Sequence, residues 1–374
     1  MHPVLAVLGQ APVLPPAGSR VAAIDLARGV AIALMMISHA VSGLMSLGDV
    51  PPWGMVPVHL LTKFSSSLFI VVFGAGLGLA FLPKTGEPDW PRRRRRLLVR
   101  GLEVFFAYQA LTVVEMLPFF PVADIRGALL FQRSAIWVEI LCFYAIALLW
   151  IPWLLPLWRR MPLWSRLLAP ILVAWVSWRL ELAGDLFGSP TLKAVFVEDA
   201  DYYTWGQLSR LPLVLLGLLL GELVLRFYRP GAHSLPVLVI GLGGAAMLLA
   251  FFAISIPHGL YDSLLAVSWN TGKHPPNLSF MLFSLGGALV ILSSCLLAGE
   301  RLGKLLAPLR TIGSEPLAAF TFHIVVIFFV LRFLMDGLLS FSYPMVLIVG
   351  MALIPATAAW ISLLGWIRAH RRKP

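Results

Sequence analysis

RVAAIDLARGVAIALMMISH, Arg20 to His39, reads as an apolar helix interrupted by three residues that a lipid-facing span does not carry. Asp25 and Arg28 stand near one end of a run of Ala, Val, Ile, Leu and Met, and His39 stands at the other. A charge at the bilayer centre costs at least ~2.5–3.5 kcal/mol on the lenient insertion scale, so such residues face the protein interior and serve a function. On a helix Asp25 and Arg28 are i and i+3, close enough to pair. Arg28 and His39 are eleven residues apart, about three turns or roughly 16–17 Å along the axis, and so lie nearly on one face. One stripe therefore holds an ion pair at one membrane face and a titratable imidazole towards the other.

Outward from this stretch, the whole chain has the composition of a membrane protein. Of its 374 residues 59% are hydrophobic and only 13% charged, against about 25% charged in a soluble domain. Apolar runs of about 20 residues, each long enough to span a bilayer, recur at 21–46, 55–82, 97–120, 135–157, 163–184, 207–228, 234–256, 277–299, 311–335 and 345–367. The expected fold is all-α: a polytopic integral membrane protein of about ten transmembrane helices with both termini cytoplasmic. Residues 1–19 read as a short cytoplasmic lead-in, 20–368 as a single transmembrane domain and 369–374 as a basic cytoplasmic tail.

The net charge of +11 follows from topology and gives no reason to expect nucleic acid. Lys84, Arg92 to Arg96 and Arg100, then Arg159, Arg160 and Arg166, then Arg226 and Arg229, then Arg301, Lys304 and Arg310, and finally Arg368 to Lys373 fall in alternate connections. That is the positive-inside pattern. The intervening connections hold Asp49, Asp185, Glu198, Asp199, Asp201, Asp262 and Asp336. The longer outer ones, 121–134, 185–206 and 257–276, carry interfacial aromatics such as Tyr202, Tyr203, Trp205 and Trp269 and are placed to shape a mouth. Cys142 and Cys295 lie in apolar segments without paired spacing, which implies neither a disulfide framework nor a metal site. No G-x-S-x-G elbow, P-loop, dinucleotide fingerprint or H-E-x-x-H occurs.

Other polar residues inside the spans admit two readings each. Ser65, Ser66, Ser67, Gly74, Gly76 and Gly78, after Lys63, suit close helix packing or the wall of a polar cavity. Glu103 is expected to pair with Arg100 or its neighbours, and Glu139 locally with Arg133. Arg210 and Glu222 need interior partners that the sequence does not assign. Lys273-His274-Pro275-Pro276 opens the eighth span, with the prolines at a helix start. His323 lies about four turns into the ninth span, close to mid-membrane.

Three separated stretches together resemble the heparan-alpha-glucosaminide N-acetyltransferase-like family of bacterial membrane proteins. They are R-x-x-x-I-D-L-x-R-G at Arg20 to Gly29, K-[YH]-P-P-x-L at Lys273 to Leu278, and G-x-x-P-L followed by His at Gly313, Pro316, Leu317 and His323. The Arg28-to-His39 spacing is also similar to that of bacterial polysaccharide O-acyltransferases. Many relatives carry Asp-His where this chain has Ser38-His39, so any carboxylate orienting the imidazole comes from elsewhere. The resemblance implies an integral-membrane acyltransferase that moves an acyl group, acetyl foremost, from cytoplasmic acyl-CoA to an extracytoplasmic saccharide, a cell-envelope glycan or glycolipid, with no metal. The implied catalytic set is His39 as base or acyl carrier, Arg28 and Asp25 organising the donor site, and His323. Arg28, Arg92, Arg93, Arg96 and Lys63 are the expected CoA-binding residues, since guanidinium and ammonium groups suit its phosphates. Lys273, His274 and Trp53 are expected at the acceptor. The expected location is the inner (plasma) membrane, among its lipids. Two readings compete: a transporter or flippase that uses Asp25, Arg28, His39 and His323 as a proton or substrate path, and a scaffold without chemistry.

Overall fold

The quoted stretch forms α1 (Ala22–Leu44), which is buried on almost every side and packs against more of the long helices than a peripheral span does. A helix apolar all round belongs in a protein interior, and α1 is the hub of the bundle. A computed structural model of the chain describes residues 21–117, 119–133, 137–183, 186, 188–199, 201–229, 234–336 and 341–370. Arg20, the expected lead-in 1–19 and positions 371–374 of the expected tail lie outside them. The described residues form an all-α polytopic membrane protein.

The remaining helices are α2 (Phe64–Ala80), α3 (Trp90–Met116), α4 (Val122–Leu129), α5 (Glu139–Arg160), α6 (Leu163–Glu181), α7 (Pro190–Phe196), α8 (Gln207–Phe227), α9 (Leu235–Ser255), α10 (Leu260–Ser268), α11 (Leu278–Leu305), α12 (Ala307–Ser314), α13 (Pro316–Ile324) and α14 (Tyr343–His370). Among the described residues, nine segments are long and apolar enough to cross a bilayer. The tenth expected span, 163–184, forms the helix α6 but is not one of those nine, and its 19 residues include Arg166, Arg179 and Glu181. Of its side chains only Ser177 is buried. Its apolar surface, with Leu167, Ile171 and Trp175, faces outward as a lipid-facing helix does.

Three boundaries differ from the expected spans, each for a local reason. The Arg92–Arg96 run is not a loop but the opening turns of α3, with Pro91 at a position where its missing N–H is harmless and Arg a good helix former. The second span divides: Gly54–His59 is a π turn containing Pro57, and α2 starts at Phe64. The ninth divides at Glu315, which has φ −130° and ψ 63°, because a residue preceding proline is pushed out of the helical region. α13 then continues in π register over Val325–Leu334.

Glycines set a close helix crossing. Gly74 and Gly78 of α2 meet Gly217 and Gly221 of α8, and a Cβ on Gly221 would stand 2.6 Å from the Ala75 carbonyl oxygen. A Cβ on Gly74 would overlap the carbonyl of Val214, and one on Gly217 that of Val71. Gly74→Val or Gly217→Val is therefore expected to force the helices apart and cost about 1–3 kcal/mol, read as a lowered Tm in detergent. Gly243→Ala, in open space on α9, is the matched substitution that should not lower it.

The charges left without partners in the sequence are assigned here. Arg166 pairs with Glu222, which also accepts from Trp158 Nε1 at 3.0 Å, tying α5, α6 and α8 together. Arg100 and Glu103 pair at 2.8 Å as expected. Arg133 pairs with Asp124 at 3.1 Å rather than with Glu139; the Glu139 carboxylate instead accepts from Thr204 Oγ1 at 2.6 Å.

Candidate active site

The polar stripe of α1 opens into two cavities, one at each end. At the start of α1, Arg28 Nη1 donates to Asp25 Oδ1 at 3.1 Å and to the Gly313 carbonyl at 2.9 Å. α12 comes this close because Gly313 has no side chain: a Cβ there would overlap the Asp25 carbonyl. Both residues line a cavity of about 760 Å³, with Lys84, Arg93 and Arg100 also on its wall. The lining carries four cations to one carboxylate. The three latter cations are partly exposed, while Phe69 and Tyr144 behind them are buried. The cavity is thus a cationic mouth with an apolar floor, on the face that the positive-inside rule places in the cytoplasm.

At the other end lies His39. His323, fully buried on α13, has its Nδ1 2.8 Å from the Ala319 carbonyl and its Nε2 3.1 Å from His39 Nδ1. A carbonyl only accepts, so His323 Nδ1 carries the proton and, in the neutral ring, Nε2 is a lone pair. His39 Nδ1–H then donates to it. The lone pair of His39 is left on Nε2, which makes no hydrogen bond among the described residues and is not enclosed. His39 lines a second cavity, of about 370 Å³, with Ser65, Ser66, Trp137, Glu139, Thr204, Trp205, Asn270, Lys273 and His274. The orienting partner that Ser38 cannot supply is an imidazole 284 positions away, in another helix, not a carboxylate.

A second polar knot frames this outer cavity. Arg210 and Glu198, both buried, pair at 3.2 Å, and Arg210 Nη2 also donates to the Lys273 carbonyl at 2.9 Å. His274 Nδ1 lies 2.6 Å from Glu198 Oε1 and 2.7 Å from the Thr204 carbonyl. The Trp205 ring stacks edgewise on His274 and faces Arg210 and Lys273. Burial, with Arg210 and Lys273 adding to it, holds the His274 imidazole well below its ordinary range, and burial pushes the Lys273 ammonium down to about 8.

The two linings meet. On α2, Ser66 belongs to one cavity and Phe69 to the other; on α5 the adjacent Ile140 and Leu141 do the same. Three residues on a helix are roughly 4.5 Å, about one layer of side chains. The partition is aromatic, with Phe69 and Phe73 edge-on to Tyr144 at 5.1 and 4.8 Å.

Of the residues expected to bind donor or acceptor, Arg28 and Arg93 line the basic cavity, and Lys273 and His274 the outer one. Arg92 and Arg96 line neither. Lys63 is buried on the outer side of the bundle, hydrogen-bonded to His59 at 3.1 Å and to Asn270 at 3.0 Å, away from the basic mouth. Trp53 is exposed and packs on Tyr343. The sequence reading had no role for Lys84, Arg100, Glu198 and Arg210 at the site. Glu198 and Arg210 were visible only as opposite charges flanking one outer connection.

The comparisons bear on this geometry. The family model of heparan-alpha-glucosaminide N-acetyltransferase, catalytic, matches residues 20–254, more than half of the chain. The chain belongs to this family. A search of curated proteins found no match. Family membership makes the protein a membrane acetyltransferase in class. The match takes in Asp25, Arg28, His39, Glu198 and Arg210; the Lys273-His274 and His323 stretches lie beyond it, and the fold brings them back to the matched part.

Proposed function

We propose that the protein transfers an acetyl group from acetyl-CoA, entering at the basic cavity, to an amine or hydroxyl of a saccharide in the outer cavity. The observation that carries the reading is the single helix α1, which ends in a cationic mouth at Arg28 and in an open imidazole lone pair at His39. Acetyl-CoA is a polyanion with a long, uncharged arm. Arg28, Lys84, Arg93 and Arg100 would hold its phosphates, and the Phe69, Phe73 and Tyr144 floor would take the arm. The exposed ion pairs these cations make are weak in water and exchange readily for a phosphate. The Phe69 layer must turn aside for the thioester to reach the outer cavity.

In that cavity His39 Nε2 takes the proton from the attacking hydroxyl or amine as the bond to the acetyl carbon forms. His323 holds the ring in the tautomer that leaves this nitrogen free. The acceptor is proposed to be a cell-envelope glycan or glycolipid at the outer face of the inner (plasma) membrane. Trp137 and Trp205 line the outer cavity and add apolar surface beside a sugar.

The test is incubation of purified protein in lipid with radiolabelled acetyl-CoA and envelope glycan or simple amino sugars. Label in the sugar that disappears in His39→Ala is the expected result. Full labelling by that variant, or no binding of acetyl-CoA by the wild type, would overturn the reading, the latter in favour of a transport path.

A further inference from the structure

His274 repeats the arrangement of His39 with a different partner. Two oxygens lie within 2.7 Å of its Nδ1, Glu198 Oε1 and the Thr204 carbonyl, and the carbonyl can only accept. The proton therefore sits on Nδ1. Arg210 Nη2, 2.8 Å from the same nitrogen, has Lys273 O and Glu198 to receive its own hydrogens. Nε2 of His274 makes no hydrogen bond among the described residues and is not enclosed, and the residue lines the outer cavity. One cavity thus presents two imidazole lone pairs, one ring held by His323 and the other by the buried Glu198.

We propose that His274, positioned by Glu198, is a second proton acceptor of the reaction, which removes the first proton of an acceptor that arrives as an ammonium ion. This rests on the acetyl-transfer reading above. The proton count requires two bases for that substrate and only one for an alcohol. An ammonium has no lone pair, so its first proton passes to His274 Nε2 and leaves a neutral amine. The amine nitrogen then bonds to the acetyl carbon, the carbon–sulfur bond breaks, and its second proton passes to His39 Nε2 and on to the departing thiolate. His274 releases its proton to the outer water. Ammonium and thioester become amide, thiol and one proton.

The groups facing His274 act on both the acceptor and the imidazole. Arg210, 2.8 Å from His274 Nδ1, and Lys273 on the cavity wall disfavour a further positive charge there, on the acceptor and on the imidazole alike, so the proton is passed on to the outer water. Glu198 stabilises the imidazolium that forms. Glu139, held by Thr204, also lines the cavity and draws a cation in. Burial, with Arg210 and Lys273 adding to it, keeps His274 neutral, so that its Nε2 carries a lone pair.

Two nucleophiles separate this role from a structural one: glucosamine, protonated at pH 6.5, and O-methylhydroxylamine, which is not. His274→Gln is expected to lower kcat/KM for glucosamine by about 10²-fold at pH 6.5 and for O-methylhydroxylamine by no more than about tenfold. The glucosamine deficit should shrink as pH rises and free amine appears in solution. Glu198→Gln should show the same selectivity change, smaller in size. Equal losses on both nucleophiles, or a deficit independent of pH, would make His274 structural; undiminished glucosamine turnover would exclude it as a base. If the wild type acetylates neither nucleophile, the acetyl-transfer reading itself falls.

Discussion

His39→Ala is expected to lower kcat for acetyl transfer by about 10²–10⁴-fold, the usual contribution of a positioned general base. The loss should appear in kcat and not in KM for acetyl-CoA, because His39 is roughly 16 Å along α1 from the Arg28 mouth. Removing the ring also leaves His323 Nε2 without its donor in a buried setting, which costs about 1–3 kcal/mol of stability. His323→Asn separates the two effects. It keeps the His39 ring but withdraws the acceptor that places the proton on Nδ1, so rates should fall less than in His39→Ala at a similar Tm. Steady-state rates with labelled acetyl-CoA, beside melting curves of the same preparations, check both. A His39→Ala protein within threefold of the wild-type rate would end the assignment.

Arg28→Ala is expected to raise KM for acetyl-CoA by about 10–100-fold, the factor that corresponds to a charged hydrogen bond of about 1.5–3 kcal/mol. The change leaves Asp25 facing the incoming phosphates without the guanidinium now 3.1 Å from it, so part of the loss is repulsion. Asp25→Asn with Arg28→Ala should recover some affinity for that reason. Arg92→Ala or Arg96→Ala, whose side chains line neither cavity, should change KM little. Equilibrium binding of acetyl-CoA to the detergent-solubilised variants is the measurement. An unchanged Kd in Arg28→Ala would remove the donor from this mouth.

Much of the arrangement along the chain was readable from local pattern. Asp25, Arg28 and His39 share a face because helical geometry places residues three and eleven apart there, and no tertiary contact alters that. The Arg92–Arg96 run marks a basic end through the energetics of insertion, whether it is a loop or, as found, the start of α3. The glycine pattern of α2 was legible but two-valued, and both readings hold: Gly74 and Gly78 pack on α8, while Ser65 and Ser66 line the outer cavity.

Other features were not readable, because they join residues that local pattern cannot relate. The partner of Glu222 is Arg166 on α6, and the partner of Arg210 is Glu198 across a loop. A run of apolar residues with one charge states that a partner exists, since burial of an unpaired charge is costly, but not which.

From the sequence alone came the membrane class, the helical spans, the basic face and the polar stripe of α1, since each depends on the free energy of moving one segment's side chains between water and lipid. Only the tertiary structure decided that His323 sets the tautomer of His39, that Glu198 holds His274 beside it, and that two cavities meet behind Phe69. Hydrogen bonds act over about 3 Å, and residues hundreds of positions apart come within that distance only when the whole bundle has packed.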